Sequence, residues 1–269
     1  MELHTHTVEG TDPRLFAEVF TPHGGSSNLR PILLLHGFAS SSQLNWRGSG
    51  WVDALTAAGR TVLTVDLPGH GRSAAPAELD AYRPSRIRAD LLQLLMDAGV
   101  RPLADGDPTA GVDIVGYSLG SRLAWEFGAT QPELVHRMVL GGPGSGDPLA
   151  DFDLPAARAS LAGGAEIADE TTAELLRMAR LAPGNDLAAL LSMVEAVKGE
   201  PFVPADAVPS MPLLLVAGDQ DRLAATAPEL ADMSGQTELL LLPGRTHANA
   251  VTSRAFKDAA IRFLAYPDS

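Results

Sequence analysis

The stretch Gly116-Tyr117-Ser118-Leu119-Gly120 decides the fold of this chain of 269 residues. Residues 112–115 before it are mostly β-branched, which predicts a buried strand, and residues 119–130 after it have the apolar spacing of a helix. A serine at such a sharp strand-to-helix turn needs small neighbours two residues away, and glycine stands in both places. The turn therefore exposes the Ser118 hydroxyl above the edge of a sheet, beside a helix N-terminus that favours negative charge.

Apolar strand-like segments alternate with helical segments along most of the chain. The predicted strands are residues 3–8, 15–20, 32–36, 61–66, 112–117, 137–141, 213–217 and 238–242. The predicted core helices are residues 50–58, 84–98, 119–130, 224–233 and 252–265. This alternation predicts an α/β fold with a mostly parallel sheet of about eight strands flanked by helices. The first two strands are close in sequence and should form an antiparallel hairpin at one edge of the sheet.

One long segment, residues 143–206, interrupts this alternation. It has no strand-like stretch, and helical patterns dominate it, as in residues 172–181 and 187–197. A helical segment between two sheet strands predicts a lid inserted after the sixth strand, at the carboxyl edge where ligands bind in such folds. Extra packing helices are the alternative. The predicted organisation is a core of residues 1–142 and 207–269, with a lid of residues 143–206.

The composition narrows the partners that this chain can have. Its 33 acidic residues exceed its 20 lysines and arginines, and the net charge of −13 argues against nucleic acid and anionic membrane surfaces. The absence of cysteine excludes disulfides, thiolate catalysis and cysteine-ligated metals. No apolar run approaches the ~20 residues of a membrane helix, and residues 1–9 do not resemble a secretory signal. We therefore expect a cytoplasmic protein that acts on a small molecule.

Four further motifs accompany the serine turn in a fixed order. They are Leu35-His36-Gly37-Phe38, residues 66–73, Gly218-Asp219-Gln220-Asp221 and Thr246-His247. Together with the serine turn they resemble the α/β-hydrolase fold superfamily, and in particular its lid-bearing, bacterial carboxylesterase-type serine hydrolases. The resemblance runs from residue 33 to residue 247 and is weakest in the predicted lid. It implies ester hydrolysis through an acyl-enzyme, with no metal and no organic cofactor.

Nucleophilic hydrolysis requires a hydroxyl, a base that takes its proton and an acid that orients the base. Ser118 supplies the hydroxyl, and His247 is the predicted base because the resemblance implies the order serine, carboxylate, histidine. The resemblance places the acid at Asp221. Asp219, which suits a turn, and Asp147, which follows an earlier strand, stay open as alternatives.

The backbone N–H groups of Phe38 and Leu119 are the predicted oxyanion hole, in which one donor contributes roughly 3–4 kcal/mol in the transition state. The predicted substrate-binding residues are Gly37, Phe38, Leu119 and Arg122. His36, at the end of a buried strand, is predicted to be structural.

Two other patterns are predicted to carry no chemistry. Residues 66–73 form a tight hydrogen-bonded turn rather than a phosphate loop, because no lysine follows and the glycine spacing is wrong. His4 and His6 alternate along an edge strand without a third ligand, so no metal site is expected there.

The leading functional hypothesis is hydrolysis of a small, neutral, fairly apolar carboxylic ester. A second hypothesis is a lyase, because the segment from Gly116 to Arg122 is similar to that of a menaquinone-pathway enzyme that eliminates pyruvate from a cyclohexene carboxylate. In that case Arg122, with Arg158, Arg177 or Arg180, would build a pocket that binds an anionic substrate. A third is a ligand-binding signalling protein of the same fold with little turnover.

Overall fold

The computed structural model describes residues 5–7, 11, 13–22, 25, 27–147, 149–164 and 166–265. The strands are β1 (Thr5–Thr7), β2 (Ala17–Phe20), β3 (Ile32–Leu35), β4 (Val62–Val65), β5 (Val112–Tyr117), β6 (Val135–Gly141), β7 (Leu213–Gly218) and β8 (Thr237–Leu242). The α-helices are α1 (Trp51–Ala57), α2 (Pro84–Asp97), α3 (Leu119–Thr130), α4 (Leu154–Gly163), α5 (Glu170–Leu181), α6 (Leu187–Gly199), α7 (Ala227–Asp232), α8 (His247–Ala250) and α9 (Arg254–Leu264). Each predicted strand has a counterpart; the one at residues 3–8 extends beyond the described residues.

The described strands form one sheet with the order β1-β2-β4-β3-β5-β6-β7-β8. From β4 to β8 in this order all pairs are parallel, whereas β2 pairs antiparallel with both β1 and β4. The predicted hairpin and the predicted mostly parallel α/β sheet are confirmed. The chain leaves β3 for β4 on one side and returns to β5 on the other side. The carboxyl ends of β3 and β5 therefore flank a topological switch point, where ligands bind in open α/β sheets.

Helices cover both faces of the sheet because its central strands are apolar on both faces. Leu33 and Leu35 of β3 pack on the side of α2 and α3, whereas Ile32 and Leu34 pack on the side of α1 and α9. Side chains point to alternate faces along a strand, so a strand buried throughout requires a helical layer on each face. These two layers hold the carboxyl ends of the strands, and the loops that follow them, in place.

The segment between β6 and β7 contains α4, α5 and α6, and no strand among its described residues. The sequence does not predict α4, because this helix is rich in small residues and buries only Leu154 and Ala157. A local signal was nevertheless present. Each of the three helices follows an aspartate, Asp153, Asp169 or Asp186, whose carboxylate accepts a hydrogen bond from an N–H group of the first turn.

Two predicted helices are shorter in the structure. The helix predicted at residues 224–233 is a 3₁₀ turn, Arg222–Ala224, followed by α7. Pro228 lies in the first turn of α7, where its missing N–H has no partner to lose, and would break a helix that began earlier. The helix predicted at residues 252–265 begins at Arg254, after the short helix α8.

Among the described residues, no helix has both the length and the apolar character that a membrane span requires. The same part of the chain has no group of three or more histidine, aspartate or glutamate side chains that could hold a metal ion. His6 is part of β1, whereas His4 lies outside the described residues.

Candidate active site

Ser118 occupies the strained turn between β5 and α3. Its φ of 55° lies in the region that side chains other than glycine rarely adopt. A Cβ atom at Gly120 would lie 2.0 Å from the carbonyl oxygen of Leu35, and one at Gly116 would lie 2.4 Å from that of Gly120. Both glycines are therefore required for the close packing of helix against strand. The turn leaves Ser118 partly exposed at the carboxyl end of β5.

His247 and Asp221 are brought together by the loops that follow β8 and β7. His247 Nδ1 lies 2.8 Å from Asp221 Oδ2. The carboxylate of Asp221 is fully buried, and its other oxygen accepts hydrogen bonds from the N–H groups of Leu223 (3.0 Å) and Ala224 (3.2 Å). In the neutral imidazole, a proton on Nδ1 that is held by the carboxylate leaves Nε2 as the acceptor. The pair can thus take up a proton at Nε2.

The two alternative acids have other partners. Asp219 Oδ1 accepts a hydrogen bond of 2.7 Å from the N–H of Gly244, so this side chain shapes the turn before His247. The Asp147 carboxylate forms an ion pair with Arg122. Within the described residues, Asp221 is therefore the carboxylate that contacts His247.

Ser118 and His247 line one cavity, but among the described residues their side chains form no hydrogen bond with each other. Such contacts are often long or poorly aligned before substrate binds. The ring of His247 lies against Gly142, where a Cβ atom would be 2.9 Å from its Cε1 atom. Tyr117 also fixes the position of His247, because the Tyr117 hydroxyl donates a hydrogen bond to the backbone carbonyl of His247. Burial, and then the charge of Asp221, raise the pKa of Tyr117, so this donor keeps its proton at neutral pH.

The loop after β3 leaves one N–H group free beside Ser118. The N–H of Gly37 donates to Asn45 Oδ1 (3.0 Å), and that of Ala39 donates to Nε2 of His70 (3.2 Å). The N–H of Phe38, between them, has no acceptor among the described residues. A Cβ atom at Gly37 would lie 3.2 Å from the Cβ of Ser118, so the loop and the nucleophile approach closely.

Leu119 supplies a second such group. Its N–H starts α3 and also has no acceptor in the described part of the chain. The first N–H groups of a helix have no partner within the helix and carry its positive dipole end. Phe38 and Leu119 both line the cavity. Two unpaired donors therefore stand beside Ser118, where a developing negative oxygen would need them.

His36 and His70 are buried and hold this loop as neutral rings. His36 Nδ1 lies 2.8 Å from the Gly37 carbonyl oxygen, and its Nε2 accepts from the N–H of Leu67 (3.0 Å). Burial lowers the pKa of His36; for His70, burial followed by the neighbouring His36 lowers the pKa to about 3. His36 therefore has the structural role predicted for it.

The turn at residues 66–73 is also held by hydrogen bonds, as the sequence predicts. Asp66 accepts from the N–H of Ser42 (2.7 Å) and from that of Arg72 (2.9 Å). The insertion docks on this turn, because the N–H of Asp186 donates to the Gly69 carbonyl (3.1 Å).

The cavity above Ser118 has a volume of about 380 Å³. Its apolar lining consists of Phe38, Leu119, Leu149, Leu175, Met178, Leu223, Ala248 and Val251. Its charged lining, apart from His247, consists of the exposed side chains of Glu170, Glu174 and Arg222. Leu175 and Met178 belong to α5, so the helical insertion forms one wall of the cavity. The predicted binding residues Gly37, Phe38 and Leu119 all line it.

Arg122, the fourth predicted binding residue, lies elsewhere. Its buried guanidinium pairs with Asp147 and lines a second, much smaller cavity of about 10 Å³, which Ser118 also lines. Arg158, Arg177 and Arg180 are bonded to neighbours on the insertion and are not among the residues that line the large cavity in the described part of the chain. These four arginines therefore do not come together in a pocket for an anionic substrate, as the lyase hypothesis expects.

Sequence reasoning missed two residues that hold the site. Asn45, which orients the loop through Gly37, lies in a π-helical turn that has no clear sequence pattern. Tyr117, which holds His247, lies in the serine turn itself, and its position beside the nucleophile was a usable signal.

Comparison with known proteins agrees with this architecture. The family model described as the alpha/beta hydrolase family matches residues 32–259. The chain belongs to the alpha/beta hydrolase family. A protein of Bacillus subtilis (strain 168), provisionally named a 2-succinyl-6-hydroxy-2,4-cyclohexadiene-1-carboxylate synthase, is 30% identical over 116 residues. That match covers 43% of this chain and only 37% of the relative's own length.

Solved structures of this family match nearly the whole chain. A structure from a study of carboxylesterases of the thaumarchaeon Nitrososphaera gargenis has a TM-score of 0.74 at 16% identity, covering 97% of this chain and 98% of that chain. An enol-lactonase from Burkholderia xenovorans LB400 has a TM-score of 0.73 at 20% identity, covering 94% and 97%. At these identities the likeness concerns the fold alone.

Proposed function

We propose that this α/β hydrolase is a serine hydrolase that cleaves a small, neutral, fairly apolar carboxylic ester through an acyl-enzyme. Ser118 is the nucleophile, His247 the base and Asp221 the acid, and the N–H groups of Phe38 and Leu119 are the oxyanion hole. One observation carries the proposal. A histidine held by a buried aspartate lines the same cavity as a serine on a strained turn, beside two N–H groups that have no acceptor among the described residues.

The proposed reaction has two balanced half-reactions. Ser118 Oγ attacks the ester carbonyl while His247 Nε2 takes its proton, and the oxyanion is held by the two N–H groups. The alcohol leaves with the proton from His247, so the acyl group stays on Ser118. Water then attacks the acyl-enzyme and gives a proton to His247 Nε2, which passes it to Ser118 Oγ as the bond to the acyl group breaks and the acid is released. Asp221 stabilises the imidazolium in both halves without taking a proton itself.

The walls of the cavity support a small and mostly apolar substrate. A volume of about 380 Å³ lies at the small end of ligand sites, and most of the lining is apolar. Glu170 and Glu174 outnumber Arg222 among the charged side chains that line the cavity, and the whole chain carries −13, which disfavours an anionic ester. In this proposal residues 143–206 are the lid, because α5 forms a wall of the cavity. The absence of cysteine suits a cytoplasmic location.

A pyruvate-eliminating lyase is the second candidate, and the Bacillus subtilis relative favours it. It would use the same serine, histidine and aspartate but would need cations that face the substrate. Arg122 is committed to Asp147, which weighs against this candidate.

The deciding experiment pairs a chromogenic ester series of increasing acyl length with labelling by a fluorophosphonate probe, with Ser118→Ala as the control. We expect saturable turnover of short neutral esters and one label, at Ser118. Turnover that survives in Ser118→Ala would overturn the proposal. So would the absence of both label and turnover in a folded protein that is stabilised by a dicarboxylate.

A further inference from the structure

Arg122 lies one turn after Ser118 on α3, and its side chain is only 4% exposed. A buried guanidinium is costly unless its charge is paired and most of its N–H groups are bonded. Its partners are therefore informative. One partner, Glu126, lies on α3 itself, 3.4 Å from Nη2. The others lie neither in the large cavity nor on the sheet, but at the two ends of the helical insertion.

The first end of the insertion is held through Asp147, which lies between β6 and α4. The Arg122 Nη1 group donates to one carboxylate oxygen of Asp147, and this carboxylate is 5% exposed. The other oxygen accepts a hydrogen bond of 2.9 Å from the N–H of Leu149. Leu149 also lines the large cavity, so this hydrogen bond links the ion pair to the cavity wall.

The second end is held through the chain that leaves α6. The Arg122 Nη2 group donates to the Glu200 carbonyl, and the guanidinium lies 5.5 Å from the centre of the Phe202 ring. One turn further along α3, the indole N–H of Trp125 donates to the Ala207 carbonyl at 2.9 Å. The same face of α3 thus binds both the entry and the exit of the insertion.

We propose that Arg122 is a positioning residue that ties both ends of the helical insertion to the helix that starts at Ser118. It thereby sets where Leu149 and the wall formed by α5 stand over the cavity. The kinetic part of its test rests on the proposed ester hydrolysis, whereas the structural part does not.

The surroundings of Arg122 favour this role over binding of a substrate carboxylate. Nη1 and Nη2 are already bonded, and Nε is buried without a partner among the described residues. The cavity that Arg122 lines, about 10 Å³, has room for about one water molecule and not for a carboxylate substrate. A lysine could not replace Arg122, because one ammonium cannot span both ends in the planar geometry of a guanidinium.

The test measures backbone amide hydrogen exchange of the whole protein, together with ester kinetics, in three variants. Arg122→Met keeps the length of the side chain and removes its donors. Asp147→Asn weakens the attachment of the first end of the insertion to Arg122. It keeps an amide oxygen that can accept the hydrogen bond from the N–H of Leu149. Glu195→Gln is the control, because it breaks an exposed ion pair with Arg158 inside the insertion and touches neither end.

In Arg122→Met we expect exchange at residues 143–153 and 199–206 to rise about tenfold or more, with α9 unchanged. KM should rise about tenfold while kcat stays within about threefold, because binding rather than chemistry is disturbed. Asp147→Asn should affect the first end alone, and Glu195→Gln neither end. If Arg122→Met does not fold, Asp147→Asn decides alone: faster exchange confined to residues 143–153 supports the proposal.

Wild-type exchange at both ends in Arg122→Met, or in Asp147→Asn at the first end, would overturn the proposal. Faster exchange spread equally over α9 would overturn it too, since it would mean general destabilisation. Loss of a saturable dicarboxylate complex in Arg122→Met, with both ends protected, would instead assign Arg122 to substrate binding. If the wild-type protein hydrolyses no ester, the proposed function fails, and the exchange data still decide the role of Arg122.

Discussion

Two histidine-aspartate pairs lie at opposite edges of the same sheet. At the carboxyl edge, His247 Nδ1 is 2.8 Å from Asp221; at the amino edge, His136 Nδ1 is 2.9 Å from Asp113. The contacts are nearly identical in length and in the atoms that form them. A histidine-carboxylate contact by itself therefore does not identify a catalytic base.

The surroundings separate the two pairs. Asp113 also forms a buried ion pair with Arg60, whose guanidinium donates to the carbonyls of Arg30 and Leu264. The negative charge of Asp113 is therefore already paired with the positive charge of Arg60. The hydrogen bonds of Arg60 join the end of α9 to the sheet. Among the described residues, the carboxylate of Asp221 accepts only from backbone N–H groups besides its contact with His247, so its charge is available to an imidazolium.

The largest expected effect distinguishes the nucleophile from a neighbouring serine. Ser118→Ala should lower the rate of ester hydrolysis by roughly 10³ to 10⁶, because no attacking oxygen is left. Ser121→Ala is the matched control, since its hydroxyl is buried and donates to the Gly141 carbonyl. It should retain most of the rate. Initial rates with the best ester provide the measurement, and similar losses in both variants would remove Ser118 from the mechanism.

The second prediction separates the two histidines directly. His247→Gln should lower the rate by about 10³ or more, whereas His136→Gln should change it less than threefold. For stability we expect the opposite order of the two variants, with the larger loss in His136→Gln. His136→Gln should lower the free energy of unfolding by about 1–3 kcal/mol, because it disturbs a buried charged network. Rates and urea unfolding of both variants test this, and a large loss of rate in His136→Gln would contradict it.

The third prediction concerns the aspartates of the β7 loop. Asp221→Asn should lower the rate by up to about 10⁴, because the amide no longer holds the correct tautomer of His247. Asp219→Asn should cost less than about tenfold, since its oxygen only accepts from Gly244 in a turn and an amide oxygen can do the same. The reverse order in steady-state rates would transfer the acid's role to Asp219.

The smallest effect is one of pH on stability, at the buried histidine rings that hold the loop after β3. Folding lowers the pKa of His70 to about 3 from its ordinary 6.5. Between these values the unfolded chain binds the extra proton, so the free energy of unfolding should fall as pH drops from about 6.5 toward 3. One such group contributes up to about 1.4 kcal/mol per pH unit.

His36, whose pKa burial also lowers, acts in the same direction. Urea unfolding at several pH values measures the slope, and His70→Gln should reduce it. The amide of glutamine has no proton to gain in this range but keeps one donor and one acceptor. An equal slope in the variant would show that His70 is not the titrating group.

Local rules explain which parts of this molecule the sequence predicts. The serine turn was predictable because the fold requires glycine two residues on either side of the serine, although the atom that a side chain at Gly120 would meet, the Leu35 carbonyl oxygen, lies on another strand. The sheet was predictable because its central strands are apolar throughout. The contacts of Arg122 with Asp147 and Glu200 were not, because Asp147 lies beyond β6 and Glu200 lies beyond the three helices of the insertion, whose path no local pattern encodes. The choice of Asp221 depended on family resemblance, since its contact with His247 joins two distant loops.

The meeting of both ends of the insertion at one guanidinium has an evolutionary consequence. A segment whose ends are already adjacent can be lengthened, shortened or exchanged with little change in the entropy of closing the chain. Members of the alpha/beta hydrolase family could therefore acquire new substrate preferences by exchanging this insertion, while the residues at the carboxyl ends of the strands beneath it stay the same. For protein engineering, the junctions beside Asp147 and Glu200 are the natural points at which to replace this insertion with that of another member of the family.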